Sequence, residues 1–155
     1  MTEDTKVRIL YVDDEVNNLS AFKANFRRMY DVYTAESAAE GRKILESTEI
    51  EIILTDQRMP EMTGVEFLES IITDFPDPIR ILITGYTDMQ ALIDAVNKGQ
   101  IYRYLHKPWN EEELKIFIDQ ASELYGLRKE NAKLTKDLLQ VNQQLEFLLR
   151  QKLLS

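Results

Sequence analysis

The chain has 155 residues, 44% of them apolar, enough to bury one good core and little more. It has no cysteine, which excludes disulfides and thiolate metal sites, and no apolar run nears the eighteen or so residues that a membrane span needs. Its net charge of −8 divides into 12 Lys and Arg against 19 Asp and Glu over residues 1–110 and 7 against 8 over 111–155, so neither part offers a basic face to nucleic acid.

In chain order, the apolar run VRILYV (7–12) predicts a strand that ends at Asp13 and Asp14. Asn17 to Met29 reads as a helix whose apolar face is Leu19, Phe22, Phe26 and Met29, at steps of three and four. DVYTA (31–35) is a short strand. Ser37 to Ser47 is a second helix, with Ser37 as N-cap and Glu40 completing a capping-box pattern. EIILT (51–55) is a strand ending at Asp56, followed by a helix from Gly64 to Asp74. RILIT (80–84) ends at Thr84, and the next helix, Asp88 to Lys98, is bracketed by an Asp88 cap and by Gly99 as a C′ residue. IYRYLH (101–106) is the last strand and runs into Lys107. Strands alternating with helices predict right-handed βαβ crossovers and an α/β, doubly wound, mostly parallel sheet of five strands.

The final segment differs. From Asn110 to Ser155 there is no proline, and the one glycine is Gly126, so a single helix of about 65 Å is expected. Apolar residues settle into a heptad, with Leu124, Asn131, Leu138 and Leu145 at a and Leu127, Leu134, Val141 and Leu148 at d. A strict 3.5-residue repeat predicts a left-handed coiled coil, and Asn131 at an a position is a device that fixes a parallel two-stranded register. The simpler alternative is a long surface helix that folds back on its own domain. The expected division is a globular domain over 1–123 and a coiled-coil helix over 124–155, continuous with the last helix of that domain.

In parallel α/β sheets the C-terminal strand ends form one edge, where ligands collect. Asp13, Asp14, Asp56, Thr84 and Lys107 all fall there, and three carboxylates with an ammonium suggest a divalent metal and a phosphoryl group. A carboxylate can attack phosphorus to give an aspartyl phosphate, a transfer that needs positioning and charge neutralisation more than acid or base groups. Mg²⁺ suits that chemistry, since it takes oxygen ligands from one or two carboxylates and keeps several waters. Asp14 and Asp56 are candidate ligands, Asp13 a holder of metal-bound water, Lys107 the cation that meets phosphoryl oxygens and Thr84 a hydroxyl donor to them. His106, the only histidine, is assigned no role. Gln57 and Arg58 stand where they could tune water access, and Trp109 and Tyr102 are partner contacts or ordinary core.

VDDE (12–15), LTDQRMP (54–60) with Gly64 after it, ITGYTD (83–88) and YLHKPW (104–109) resemble the receiver domain of two-component response regulators over about residues 6–125. DQRMP, TGYTD and KGQIYRYLHKPW are similar to receivers of the hydrogenase-regulator type. The resemblance implies a flavodoxin-like strand order 2-1-3-4-5, Asp56 as the phosphorylated residue, and Asp13 and Asp14 as the acidic pair that recruits Mg²⁺ with the backbone carbonyl of Arg58. It also implies Thr84 as a switch hydroxyl, Tyr104 as its aromatic partner, Lys107 as the ion pair to the phosphate, and a cis peptide at Lys107–Pro108.

The function expected is a cytoplasmic switch, not a turnover enzyme, that accepts phosphate on Asp56 from a histidine kinase or phosphotransfer protein. A homodimeric parallel coiled coil would pass the change to an output module beyond Ser155, with no direct nucleic-acid or membrane contact. A stand-alone dimeric adaptor or phosphorelay intermediate is the alternative. A phosphatase of the haloacid-dehalogenase type fits less well, because the nucleophile there belongs to a DxD element after the first strand, whereas this chain has DDE there and Asp56 further on.

Overall fold

The structure, a computed structural model, describes residues 5–85 and 89–154. Strands β1 (Arg8–Val12), β2 (Asp31–Ala35), β3 (Ile52–Asp56), β4 (Ile79–Thr84) and β5 (Arg103–His106) alternate with helices α1 (Val16–Phe26), α2 (Ala38–Ser47), α3 (Gly64–Ile71), α4 (Met89–Asn97) and α5 (Glu111–Leu154). All pairings are parallel and the sheet order is β2-β1-β3-β4-β5, the expected doubly wound arrangement. Every residue of β3 is buried, as a central strand covered on both faces must be, and this explains its unbroken apolar run.

Alternation along the strands divides the core in two. Ile9 and Tyr11 of β1, Ile52 and Leu54 of β3 and Ile79, Ile81 and Ile83 of β4 face Leu19, Phe22 and Phe26 of α1 and Leu114, Ile118, Ala121 and Tyr125 of α5. Leu10, Val12, Ile53 and Leu82 face the other way, against Leu45 of α2, Phe67, Leu68 and Ile71 of α3 and Leu92 and Ala95 of α4.

Helix ends differ from expectation in instructive ways. Helix α1 stops at Phe26, and Met29 is exposed; the chain turns instead so that Tyr30 takes the core position, its hydroxyl donating to Asp119 at 2.7 Å. Ser37 caps α2 by accepting from the Glu40 amide at 3.2 Å, but the Glu40 carboxylate accepts from Glu36 N–H, one residue earlier than a closed box requires. A complete capping box forms at α3, where Thr63 and Glu66 each accept from the other's backbone amide. The Asp88 cap expected for α4 lies outside the described residues, while Gly99 does adopt the left-handed conformation (φ +75°) after that helix.

Helix α5 is continuous over 44 residues. Asn110 starts it, its side-chain oxygen accepting from the Glu112 and Glu113 amides at 2.8 and 3.1 Å, and three glutamates occupy the positive end of the helix dipole. Its core contacts end at Tyr125, whose hydroxyl donates to Glu49 at 3.5 Å; one turn on, Lys129 pairs with Asp77 at 3.2 Å and lies over the Tyr125 ring. From Gly126 onward every described residue is exposed. Among the described residues no helix is long and apolar enough to cross a membrane.

Candidate functional site

Parallel pairing brings the C-terminal ends of β1, β3, β4 and β5 to one edge, and the residues singled out in the sequence meet there. Asp13, Asp14 and Asp56 each offer a carboxylate oxygen, and these oxygens lie within 4.8 Å of one another. Lys107 reaches across from the end of β5, its Nζ 2.9 Å from Asp56 Oδ1 and 3.8 Å from Asp13 Oδ2. Its backbone N–H donates to the Thr84 carbonyl at 2.7 Å, which fixes the root of that side chain, and the Lys107–Pro108 peptide is cis as expected.

The three acids have different surroundings. Asp13 is fully buried: Oδ1 accepts from the Glu15 backbone amide at 2.9 Å, and Oδ2 accepts from the Tyr11 hydroxyl at 2.8 Å and the Asn18 side-chain Nδ2 at 3.1 Å. Asp14 is exposed. Asp56 is only 4% exposed, and its Oδ1 also accepts from the Gln57 amide at 3.0 Å. Burial first, then the neighbouring Asp13 charge, push the Asp56 carboxyl above the usual range, against the pull of Lys107 and the Gln57 amide. Burial alone would lower Lys107, but its hydrogen bond to Asp56 and the charges of Asp56 and Asp13 outweigh it, so the ammonium is held above its ordinary value and stays charged.

Thr84 is fully buried, and its hydroxyl has no hydrogen-bond partner among the described residues. A buried hydroxyl without a partner carries a desolvation penalty, and it is positioned to gain from any acceptor that arrives at this edge. The β4–β5 register pairs Leu82 with Tyr104 and Thr84 with His106, so Tyr104 is diagonal to Thr84 on the same face of the sheet. Tyr104 is half-buried and meets the His106 ring edge-to-face at 5.7 Å. Arg58 is exposed in the loop after β3.

Gly64 holds the far wall of the site. A Cβ there would stand 2.4 Å from the Asp56 carbonyl and 2.7 Å from Leu82 Cδ1, so only glycine lets α3 start this close to the end of β3. The loop between is tied by the Gly64 amide donating to the Gln57 carbonyl and the Val65 amide to the Gln57 side chain, both at 2.9 Å. Gln57 therefore braces the loop. Tyr11 and Asn18 are site residues that the motif reading missed. For Tyr11 the signal was present, since strand alternation puts residues 11 and 13 on one face.

The donor set is all oxygen, two of its three carboxylates are buried beside a single ammonium, and it fits a hard divalent cation better than a soft one. The same edge can hold an anionic group between that cation, the Lys107 ammonium and the Thr84 hydroxyl.

Comparison with known proteins places the chain in a family. The profile of the response regulator receiver domain matches residues 9–119. The hydrogenase transcriptional regulatory protein HoxA of Cupriavidus necator is 38% identical over 135 residues, 87% of this chain and 28% of that protein. Its namesake from Bradyrhizobium diazoefficiens is 38% identical over 122 residues, 79% of this chain and 25% of that one, so the chain spans about a quarter of the length of these relatives. Among solved structures, one described as an adenylate cyclase from Rhodopirellula baltica superposes with a TM-score of 0.82 at 31% identity, covering 84% of this chain and 98% of that one. The signal receiver domain of an HD domain-containing protein from Pseudomonas fluorescens Pf-5 gives 0.77 at 31% identity, over 84% and 96% of the two chains.

Proposed function

The chain belongs to the response regulator receiver domain family, and from that premise we propose that Asp56 accepts a phosphoryl group from a histidine kinase or phosphotransfer protein in a Mg²⁺-dependent reaction. The observation that carries this reading is the convergence of Asp13, Asp14 and Asp56 within 4.8 Å, with Lys107 2.9 Å from Asp56.

Asp13, Asp14, Asp56 and the Arg58 carbonyl would hold Mg²⁺, which when bound draws charge from the phosphoryl oxygens. Asp56 attacks phosphorus as the donor's nitrogen–phosphorus bond breaks and an oxygen–phosphorus bond forms. Lys107 is then released from a carboxylate and pairs with a phosphoryl oxygen instead. The new group, with a charge near −2, also offers the acceptor that the Thr84 hydroxyl lacks. Thr84 moving toward it opens space diagonal to Tyr104, whose half-buried ring turns inward; this pair with α4 is the switch. The chain is a phosphoacceptor rather than a turnover enzyme, and works in the cytoplasm.

We propose further that the helix beyond residue 123 is a parallel two-stranded coiled coil that carries the switch to an output module. The exposure of Leu127, Leu134, Leu138, Val141, Leu145 and Leu148, between 48% and 61%, supports a partner helix on that stripe; Asn131 is exposed with them, whereas Leu124, the first a residue, is half-buried against the core of its own domain.

Labelling with a phosphodonor in MgCl₂ tests the acceptor. A single acid-stable, base-labile modification is expected, absent in Asp56→Asn and suppressed by EDTA. Undiminished labelling of Asp56→Asn refutes the assignment.

A further inference from the structure

Asp13 and Asp14 are adjacent in sequence, yet only Asp13 is gripped from inside the protein. The grip comes from β1 itself: the Tyr11 side chain points into the core between the sheet and α1, and its hydroxyl donates to Asp13 Oδ2 at 2.8 Å. That ring is fully buried and meets Phe22 edge-to-face with centroids 4.9 Å apart. Trp109, the only tryptophan, packs on the same aromatic cluster, 6.1 Å from Phe22 and 6.0 Å from Phe26. Burial, then the Asp13 charge, hold the phenol far above its ordinary range, so Tyr11 remains a donor at every relevant pH. A phenylalanine would fill the same volume in an otherwise apolar cluster, so packing alone gives no reason for a hydroxyl here.

We propose that Tyr11 is a positioning residue, whose hydroxyl fixes the Asp13 carboxylate in the orientation that the acidic pocket needs to hold a divalent cation. With Oδ1 tied to the Glu15 amide and Oδ2 to Tyr11 and Asn18, the carboxylate plane has no free rotation. Three of its roughly four acceptor positions are thereby occupied, and the carboxylate keeps this orientation beside Asp14 and Asp56 only while these donors stay in place. Through the aromatic cluster it shares with Trp109, two residues after Lys107 and two before α5 begins, the Tyr11 ring also packs near the root of the long helix, on the face of the sheet opposite Tyr104. This inference rests on the Mg²⁺-binding reading above.

The test is calorimetric titration of the full chain with MgCl₂, comparing wild type with Tyr11→Phe, alongside the circular dichroism spectrum of each metal-free protein. Removing an outer donor that orients a metal ligand commonly weakens metal affinity by 10-fold or more, so a loss of about tenfold is expected with an unchanged spectrum. Affinity within twofold of wild type overturns the proposal. A wild type that neither binds Mg²⁺ nor labels on Asp56 overturns the proposed function itself, whereas a wild type that does both beside an unaffected Tyr11→Phe overturns only the positioning role. Should the variant fail to fold, proton NMR of the unaltered chain decides. The slowly exchanging Tyr11 hydroxyl, identified by its proximity to the Phe22 ring, is expected to shift on MgCl₂ addition with the calorimetric midpoint, and a resonance that does not move overturns the proposal.

Discussion

Ionised Asp56 is a burden on the metal-free fold. Its carboxyl is raised first by burial and then by Asp13, and a carboxyl raised in the folded state favours folding fully only below its unfolded pKa, a contribution lost as pH climbs through the folded value. Lys107 does not alter this trend: its raised pKa keeps its contribution intact until strongly alkaline pH. Asp56→Asn removes the buried charge and leaves Lys107 with Asp13, 3.8 Å away. Metal-free Asp56→Asn should therefore melt a few degrees above wild type at pH 7, a gain on the order of 1 kcal/mol. The gap should narrow as pH falls toward about 3, below the ordinary Asp value of about 3.9, where the carboxyl is mostly neutral in either state. Thermal denaturation followed by circular dichroism across that range checks it, and a variant less stable at neutral pH would contradict the assignment of Asp56 as a strained charge.

Two glycines test how the elements are fitted together. Gly64→Ala drives a methyl into the Asp56 carbonyl and Leu82, and should cost about 1–3 kcal/mol while disturbing the acid at the end of β3. Gly126→Ala meets nothing within 4 Å, in the middle of α5, and should stabilise by roughly 0.8–1 kcal/mol. Urea denaturation of both variants measures the contrast, and equal effects would refute it. The elements themselves were legible because each apolar run has one period and ends at a polar residue: DVYTA became β2 without adjustment, and Asp13, Asp14, Asp56 and Lys107 met where strand ends had to meet. What escaped was side-chain reach. Thr63 to Glu66 carries the capping pattern as plainly as Ser37 to Glu40, yet only the fold shows which of the two closes. Tyr11 resembled any core aromatic, because an apolar run does not reveal whether a buried hydroxyl finds an acceptor.

For the whole molecule, the exposed a and d stripe of α5 predicts a dimer independent of phosphorylation. Light scattering at tens of micromolar should give twice the 18.1 kDa chain mass, and a monomer would refute the coiled coil. Asn131→Leu should raise the melting temperature and admit higher oligomers, since a buried asparagine trades stability for register; an unchanged state and stability would remove Asn131 from the seam. The Lys129–Asp77 pair and the Tyr125–Glu49 bond grip α5 just after it leaves the core. They act as a fulcrum. Past Lys129 the helix, paired or not, extends roughly 38 Å beyond the grip at 1.5 Å per residue, so a tilt of about 5° there swings its tip by about 3 Å. An adjustment too small to disturb the sheet would thus arrive at the far end as a displacement comparable to a hydrogen-bond length.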